Sequence, residues 1–172
     1  NLNAIRGADF LRYFFLNSSK NIKIFLVGSH KKILNRVVCN AKKMNPNINI
    51  VGTFIPDYSD SLEIISNQIA EKIKILEIDV VIIGLGSPKQ DYLIYNLSKI
   101  FSFKFIAVGA GLDFISGITK ETPRILRGSG LEWLYRLLIE PRRLWKRYLL
   151  GNLWIFRIFL SDIQSIYFRR RK

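Results

Sequence analysis

Residues 79–91, DVVIIGLGSPKQD, decide the fold. Asp79–Leu85 is a near-continuous apolar run, the pattern of a strand covered on both faces. The glycine-rich turn that follows leads into a helix expected over 89–100. A two-sided strand passing straight into a helix is half of a strand–helix–strand unit, and such units assemble into parallel sheets.

Working outward, the same alternation recurs through the first 120 residues. Lys23–Val27 (KIFLV) reads as a strand ending at Gly28-Ser29, and residues 31–44 read as a helix with Ile33, Leu34, Val37, Val38 and Ala41 on one face. Ile48–Phe54 (INIVGTF) is the next strand. A loop carrying Pro56, Asp57 and Asp60 then leads to a helix over 61–77, with Ile64, Ile65, Ile69 and Ile73 expected to face inward. Lys104–Val108 (KFIAV) is the fourth strand. The fold class is therefore α/β: a Rossmann-like, mostly parallel sheet flanked by helices. Near Pro123 the pattern becomes helical, basic and tryptophan-rich, so two domains are expected, a core over 1–122 and a basic helical appendage over 123–172.

Composition narrows the function. With 49% apolar and 13% aromatic residues, the chain can bury a core and is not a disordered tail. One cysteine and one histidine exclude a disulfide framework and a Cys/His zinc site, and no metal is expected. Cys39, alone on a helical pattern, is expected to be a small buried hydrophobe. No secretory signal precedes the first strand, which makes a reducing compartment the default, and no uncharged apolar run reaches 18 residues. The net charge of +14 is uneven: residues up to Thr119 carry 14 basic and 9 acidic side chains, and those from Lys120 onward carry 13 and 4. The partner of that second part should be polyanionic, whether nucleic acid, a phosphorylated ligand or acidic lipid.

In open parallel sheets ligands bind at the carboxyl ends of strands, where strand order reverses. That rule selects three segments. In GLGSPKQD (84–91), Gly84 and Gly86 would let a ligand approach the backbone, Pro88 suits a first helical turn, and Lys89 with the local amides would seat a phosphate or sugar oxygen. Gln90 offers both donor and acceptor groups. The competing reading is an ordinary strand-to-helix turn. In GAGLDFISG (109–117), Gly109 and Gly111 form a second glycine-rich exit, and Asp113 would orient a hydroxyl, act as a base, or simply close an Asx turn or helix cap. In the third segment, Gly28-Ser29-His30, Ser29 reads as a cap and His30 as an exposed first-turn residue.

The block GLEWLYRLLIEPRRLWKRYL (130–149) is the most charged. Glu132, Arg136 and Glu140 are spaced by four, as a solvated ladder would be. Beyond Pro141, Arg142 pairs in spacing with Lys146 and Arg143 with Arg147, so one helical side would concentrate cations. Guanidinium forks suit bidentate phosphate contact and would offset charge building on a diphosphate leaving group; a lipid-headgroup or nucleic-acid patch has the same pattern. Residues 149–168 are heavily apolar but carry Arg157 and Asp162; Arg157, Ser161, Gln164 and Ser165 fall on one helical stripe, and RRRK (169–172) follows. Such a helix would lie in a membrane interface, each basic residue adding on the order of 1 kcal/mol on anionic lipid.

Three stretches together resemble the WecG/TagA/CpsF family of bacterial glycosyltransferases: GLGSPKQD, VGAGLDFISG followed by K-x-x-P, and GLEWLYRLLIEPRRLWKRY, within a match from about Arg6 to Tyr148. The resemblance implies a metal-independent, cofactor-free, inverting transferase. It would move a sugar of the N-acetylmannosamine type from a UDP donor to a lipid-diphosphate-linked acceptor, for teichoic acid, common antigen or capsule. It would work at the cytoplasmic face of the plasma membrane as a peripheral protein; a homo-oligomer bound at that interface is a separate expectation, which the resemblance does not carry. Carried over residue by residue, Arg136, Arg143 and Arg147, with Arg142 close behind, become diphosphate contacts. Gly86, Lys89 and Gln90 line the donor pocket, and Asp113 supports it. Two departures stand out. The family's usual K-R-A-P reads Lys120-Glu121-Thr122-Pro123 here, an anion for a cation. The family also carries further chain before R-G-A-D-F (6–10), with the motifs that supply its catalytic base, so Asp113 is only a weak candidate for that role and little turnover is expected from these residues alone. The rival readings are a non-catalytic membrane-surface scaffold and a basic nucleic-acid-binding protein. Against the latter, the cations sit on an apolar-flanked tail rather than along a recognised nucleic-acid motif.

Overall fold

Two strands form the spine because their side chains are buried on both sides. β1 (Lys23–Gly28) and β3 (Val80–Gly84) are the central pair of a four-stranded, all-parallel sheet in the order β2-β1-β3-β4, with β2 (Asn49–Phe54) and β4 (Lys104–Ala107) at the edges. The computed structural model describes residues 5–28, 30–57, 59–126, 132–139, 141 and 144. Side chains alternate across the sheet as strand geometry requires. Ile24, Leu26, Val80 and Ile82 join one core with Leu11, Phe15, Leu34, Val37, Ala41, Leu112 and Ile115. Phe25, Val27, Val81 and Ile83 join a second core with Ile65, Ile69, Ile73, Leu93 and Leu97. Burying an aliphatic side chain is worth roughly 1.5–3 kcal/mol, so covering both faces rewards the uninterrupted apolar runs of β1 and β3.

The first core is roofed by α1 (Gly7–Asn17), α2 (Lys31–Met44) and α5 (Gly111–Ser116), and the second by α3 (Leu62–Lys74) and α4 (Lys89–Ser98). α2 carries the chain from β1 outward to β2, and α4 carries it from β3 outward to β4 in the opposite direction. Strand order therefore reverses between β1 and β3. The expected fold class is the observed one for the core: the four expected strands and three expected helices are present, with ends that differ by at most three residues.

The differences have local causes. α1 was not expected from its aromatic-rich sequence; Ala8, Leu11 and Phe15, at i, i+3 and i+7, are the buried stripe that makes it a helix. α1 also depends on close backbone approach to α5: a Cβ at Gly7 would lie 2.7 Å from the Val108 carbonyl oxygen, and one at Gly111 would lie 3.1 Å from the Gly7 carbonyl carbon. In α3, Ile65, Ile69 and Ile73 form the inward stripe, but Ile64 is 47% exposed, contrary to expectation. It precedes Ile65 by one residue, about 100° around the helix. Ser61 caps this helix, accepting the Ile64 amide at 3.3 Å.

Cys39 is exposed, not buried. It sits two residues from both Val37 and Ala41, on the side of α2 away from the Leu34–Val37–Ala41 stripe. We therefore expect Cys39 to react stoichiometrically with a thiol reagent such as dithionitrobenzoate in the native protein, at a rate that denaturant hardly changes. Reaction only after unfolding would mean that the helix is rotated from the placement described here.

The chain divides into two units between Thr119 and Lys120. In the second, a 3-10 turn at Arg124–Leu126 and α6 (Glu132–Ile139) are described. α6 leaves Trp133, Leu134, Leu138 and Ile139 exposed. No helix among the described residues is long and apolar enough to cross a membrane. The expected basic interface helix over 149–168, the RRRK terminus, Glu140 and the arginine pairs after Pro141 lie outside the described residues.

Candidate functional site

The carboxyl edge of the sheet places three of the selected turns side by side. Gly28, the last residue of β1, is paired in register with Gly84, the last of β3, and Ile83 is paired with Ala107 of β4. β1, β3 and β4 therefore end at one level. Between the first two lies the point where strand order reverses, where neighbouring helices diverge and leave a crevice.

The five glycines picked out from the sequence do two different jobs there. Gly28, Gly84 and Gly111 are buried and serve packing. A Cβ at Gly28 would strike Leu34 at 2.6 Å, and one at Gly84 would meet Leu112 at 2.7 Å and the Gly109 carbonyl oxygen at 3.0 Å. Gly86 and Gly109 instead adopt left-handed backbone, with φ of 79° and 52°, and nothing lies within 4 Å of where their Cβ atoms would be. These two turns present bare main chain to open space, the arrangement in which a ligand can approach peptide groups directly. Sequence alone cannot separate the two classes, because packing and ligand approach both select glycine.

α4 starts immediately beyond Gly86. Pro88 is its N-cap, following a cis Ser87–Pro88 bond, and Lys89 is its exposed first residue. The Ser87 hydroxyl donates to the Asp91 carboxylate at 2.6 Å across this turn. Gln90 is buried, at 8% exposure, and both its main-chain and side-chain groups are engaged. Its amide donates to the Gly86 carbonyl at 3.1 Å, and its Oε1 accepts the Gly109 amide at 3.0 Å. Asp113 stands half-buried in the first turn of α5.

At the β1 exit, His30 is the exposed N-cap of α2 rather than a first-turn residue, and its side chain makes no capping bond. Ser29 lies outside the described residues. Lys31 and Lys32, passed over in the sequence, begin α2 beside Gly28, with no acid in that first turn. Cations at a helix N-terminus add to the positive end of the macrodipole instead of offsetting it. The signal that would have found them is two adjacent lysines three and four residues after a strand-exit glycine. The acids of the loop after β2 are otherwise occupied: the Ser59 amide, and then its hydroxyl, hold the exposed Asp57 carboxyl below its ordinary range, and Gln68 donates to Asp60 at 2.9 Å. Among the described residues no group of three or more His, Cys, Asp or Glu side chains could hold a metal ion.

Gly28, Gly84, Gly86, Pro88, Lys89, Gln90, Gly109, Gly111 and Asp113 are thus all on the β1, β3 and β4 exits. Arg136 is half-buried in α6 of the second unit, and Arg142, Arg143 and Arg147 lie outside the described residues.

Comparison with known proteins gives a family for this geometry. Residues 2–168 match the glycosyl transferase WecG/TagA/CpsF family. The chain is 35% identical over 148 residues to the N-acetylglucosaminyldiphosphoundecaprenol N-acetyl-beta-D-mannosaminyltransferase of Bacillus subtilis (strain 168), covering 84% of this chain and 55% of that one. It is 33% identical over 132 residues to the protein of the same name from Bacillus spizizenii (strain ATCC 23059 / NRRL B-14472 / W23), covering 76% and 49%. The chain spans about half the length of these curated relatives.

Proposed function

This chain belongs to the WecG/TagA/CpsF family of glycosyl transferases, and on that premise we propose that it forms the donor-handling part of an inverting hexosyltransferase. The sugar is of the N-acetylmannosamine type, carried on UDP, and the acceptor is an N-acetylglucosamine linked through diphosphate to a polyprenol. Both relatives' names give that sugar and that acceptor, which supports the reading; the UDP carrier is our own addition. The observation that carries the reading is the pair of open, left-handed glycine turns at Gly86 and Gly109, on neighbouring strand exits beside the Gly28–Gly84 pair.

In this reading the nucleotide lies across the crevice, with its diphosphate over the bare peptide groups of the two turns. Lys89, exposed at the head of α4, supplies a first counter-charge. Arg136, Arg142, Arg143 and Arg147 supply the rest without a metal, compensating the charge that grows on UDP as the glycosidic bond breaks. Asp113 orients a ribose or sugar hydroxyl from the first turn of α5. The basic, apolar stretch after Pro141 holds the protein peripherally on the anionic cytoplasmic leaflet, where the acceptor resides, and copies of the chain associate there.

Titration calorimetry of the 172-residue chain with UDP tests this directly. Saturable binding that is unchanged by EDTA and weakened by salt is the expected result. Absence of heat at millimolar UDP would overturn the donor-site reading. If the same protein still sedimented with anionic vesicles, a membrane-surface scaffold would be the better description.

A further inference from the structure

We infer that Gln90 is a positioning residue, a buried brace that holds the two open turns at a common height by bonding to the backbone of both. The inference rests on the donor-site reading for its functional consequence but on geometry for its existence. Gln90 reaches Gly86 through its own amide, at 3.1 Å, and Gly109 through its side-chain carbonyl, at 3.0 Å. The first bond is an ordinary helix-opening contact that any residue would make. The second is specific to an acceptor at the end of a two-methylene stem, and it crosses from the β3–α4 turn to the β4–α5 turn.

Gly109 needs such a partner. Its backbone is in the left-handed region, and an amide in a turn has no ladder strand to receive it. Side-chain volume on one flank comes from Leu112, which packs against Gly84 where a Cβ would otherwise stand, and the Gly109 carbonyl approaches the same point. The Gly109 peptide is thus gripped from both ends: its carbonyl side rests against Gly84, and its amide is held by Gln90. With its acceptor engaged by the Gly109 amide and 8% of its surface exposed, Gln90 leaves little of itself for a ligand to touch. Its contribution to ligand binding runs through the position of Gly109 rather than through contact with a sugar hydroxyl.

The test compares backbone amide exchange in the ligand-free protein with affinity for UDP. Gln90→Met keeps the length and apolar bulk but removes the acceptor. Gly109 should then exchange about tenfold faster while strand amides such as those of Phe25 and Ile82 are unchanged, and UDP should bind about tenfold more weakly, the weight of one buried backbone hydrogen bond. Gln90→Glu retains an oxygen acceptor and should restore Gly109 protection in the ligand-free protein. Loss of UDP affinity in Gln90→Met with Gly109 exchange unaltered would overturn the brace and make Gln90 a direct ligand. Faster Gly109 exchange with UDP affinity intact would overturn its role in binding. If Gln90→Met does not fold, the wild-type chain decides: a Gly109 amide proton shift as insensitive to temperature as those of the strands supports the bond, and a solvent-like dependence overturns it. Failure of the wild-type chain to bind UDP would remove the donor-site reading and the affinity part of this proposal, while the exchange comparison still judges the brace.

Discussion

Replacing Phe25 with alanine is expected to destabilise the protein by about 3–5 kcal/mol, the usual cost of emptying a fully packed aromatic site. Phe25 is 2% exposed on the central strand β1, and its ring lies over Gly52 of β2, where a Cβ would come within 2.6 Å of it. The neighbours that would have to collapse into the space, Val27, Phe54, Ile65, Ile69 and Ile73, are held by β1, β2 and α3, so relaxation should be incomplete. Against a total stability on the order of 5–15 kcal/mol for a domain, such a loss leaves a measurable unfolded population. Urea denaturation followed by circular dichroism should show a lower midpoint with an unchanged slope. A loss below about 1 kcal/mol would mean that the Gly52–Phe25 packing is not as described.

The largest expected functional effect comes from arginines of the second unit. Changing Arg143 and Arg147 together to alanine should weaken UDP binding by about two to four orders of magnitude, if each guanidinium makes a charge-assisted contact worth roughly 1.5–3 kcal/mol. The double lysine variant separates two mechanisms. A fork that grips two phosphate oxygens is not replaced by an ammonium, so lysine should recover only a minor part of the loss; a point-charge role would be recovered nearly in full. Calorimetry at two ionic strengths reads both cases, because a diffuse electrostatic contribution fades with salt faster than a desolvated bidentate one. Unchanged UDP affinity with lost sedimentation on anionic vesicles would assign these arginines to the lipid surface instead.

Much of the core was legible because a single physical rule governed each part of it. Two-sided burial marks β1 and β3 as apolar runs, and a 3.6-residue stripe marks α2 and α3. α1 was hidden because Phe10, Tyr13 and Phe14 crowd the signal, leaving only Ala8, Leu11 and Phe15 to reveal the period. Cys39 and Ile64 were misplaced for a related reason: an apolar residue next to a stripe resembles a member of it, and a rotation of about 100° per residue decides which side it joins.

Composition, periodicity and the glycine-rich motifs sufficed to determine that the chain is α/β and that it resembles the family to which it belongs, and they singled out the β3–α4 and β4–α5 turns as the proposed places for a ligand. These properties repeat along the chain or stand within a few consecutive residues. Only the tertiary structure decided which glycines fill packing contacts and which face open space, that Gly28 and Gly84 stand opposite each other where strand order reverses, and that Gln90 spends its acceptor on Gly109. Those distinctions depend on atoms brought together from distant points of the chain, such as Gly84 against Leu112 or Gly7 against Val108, and local sequence carries no record of such neighbours.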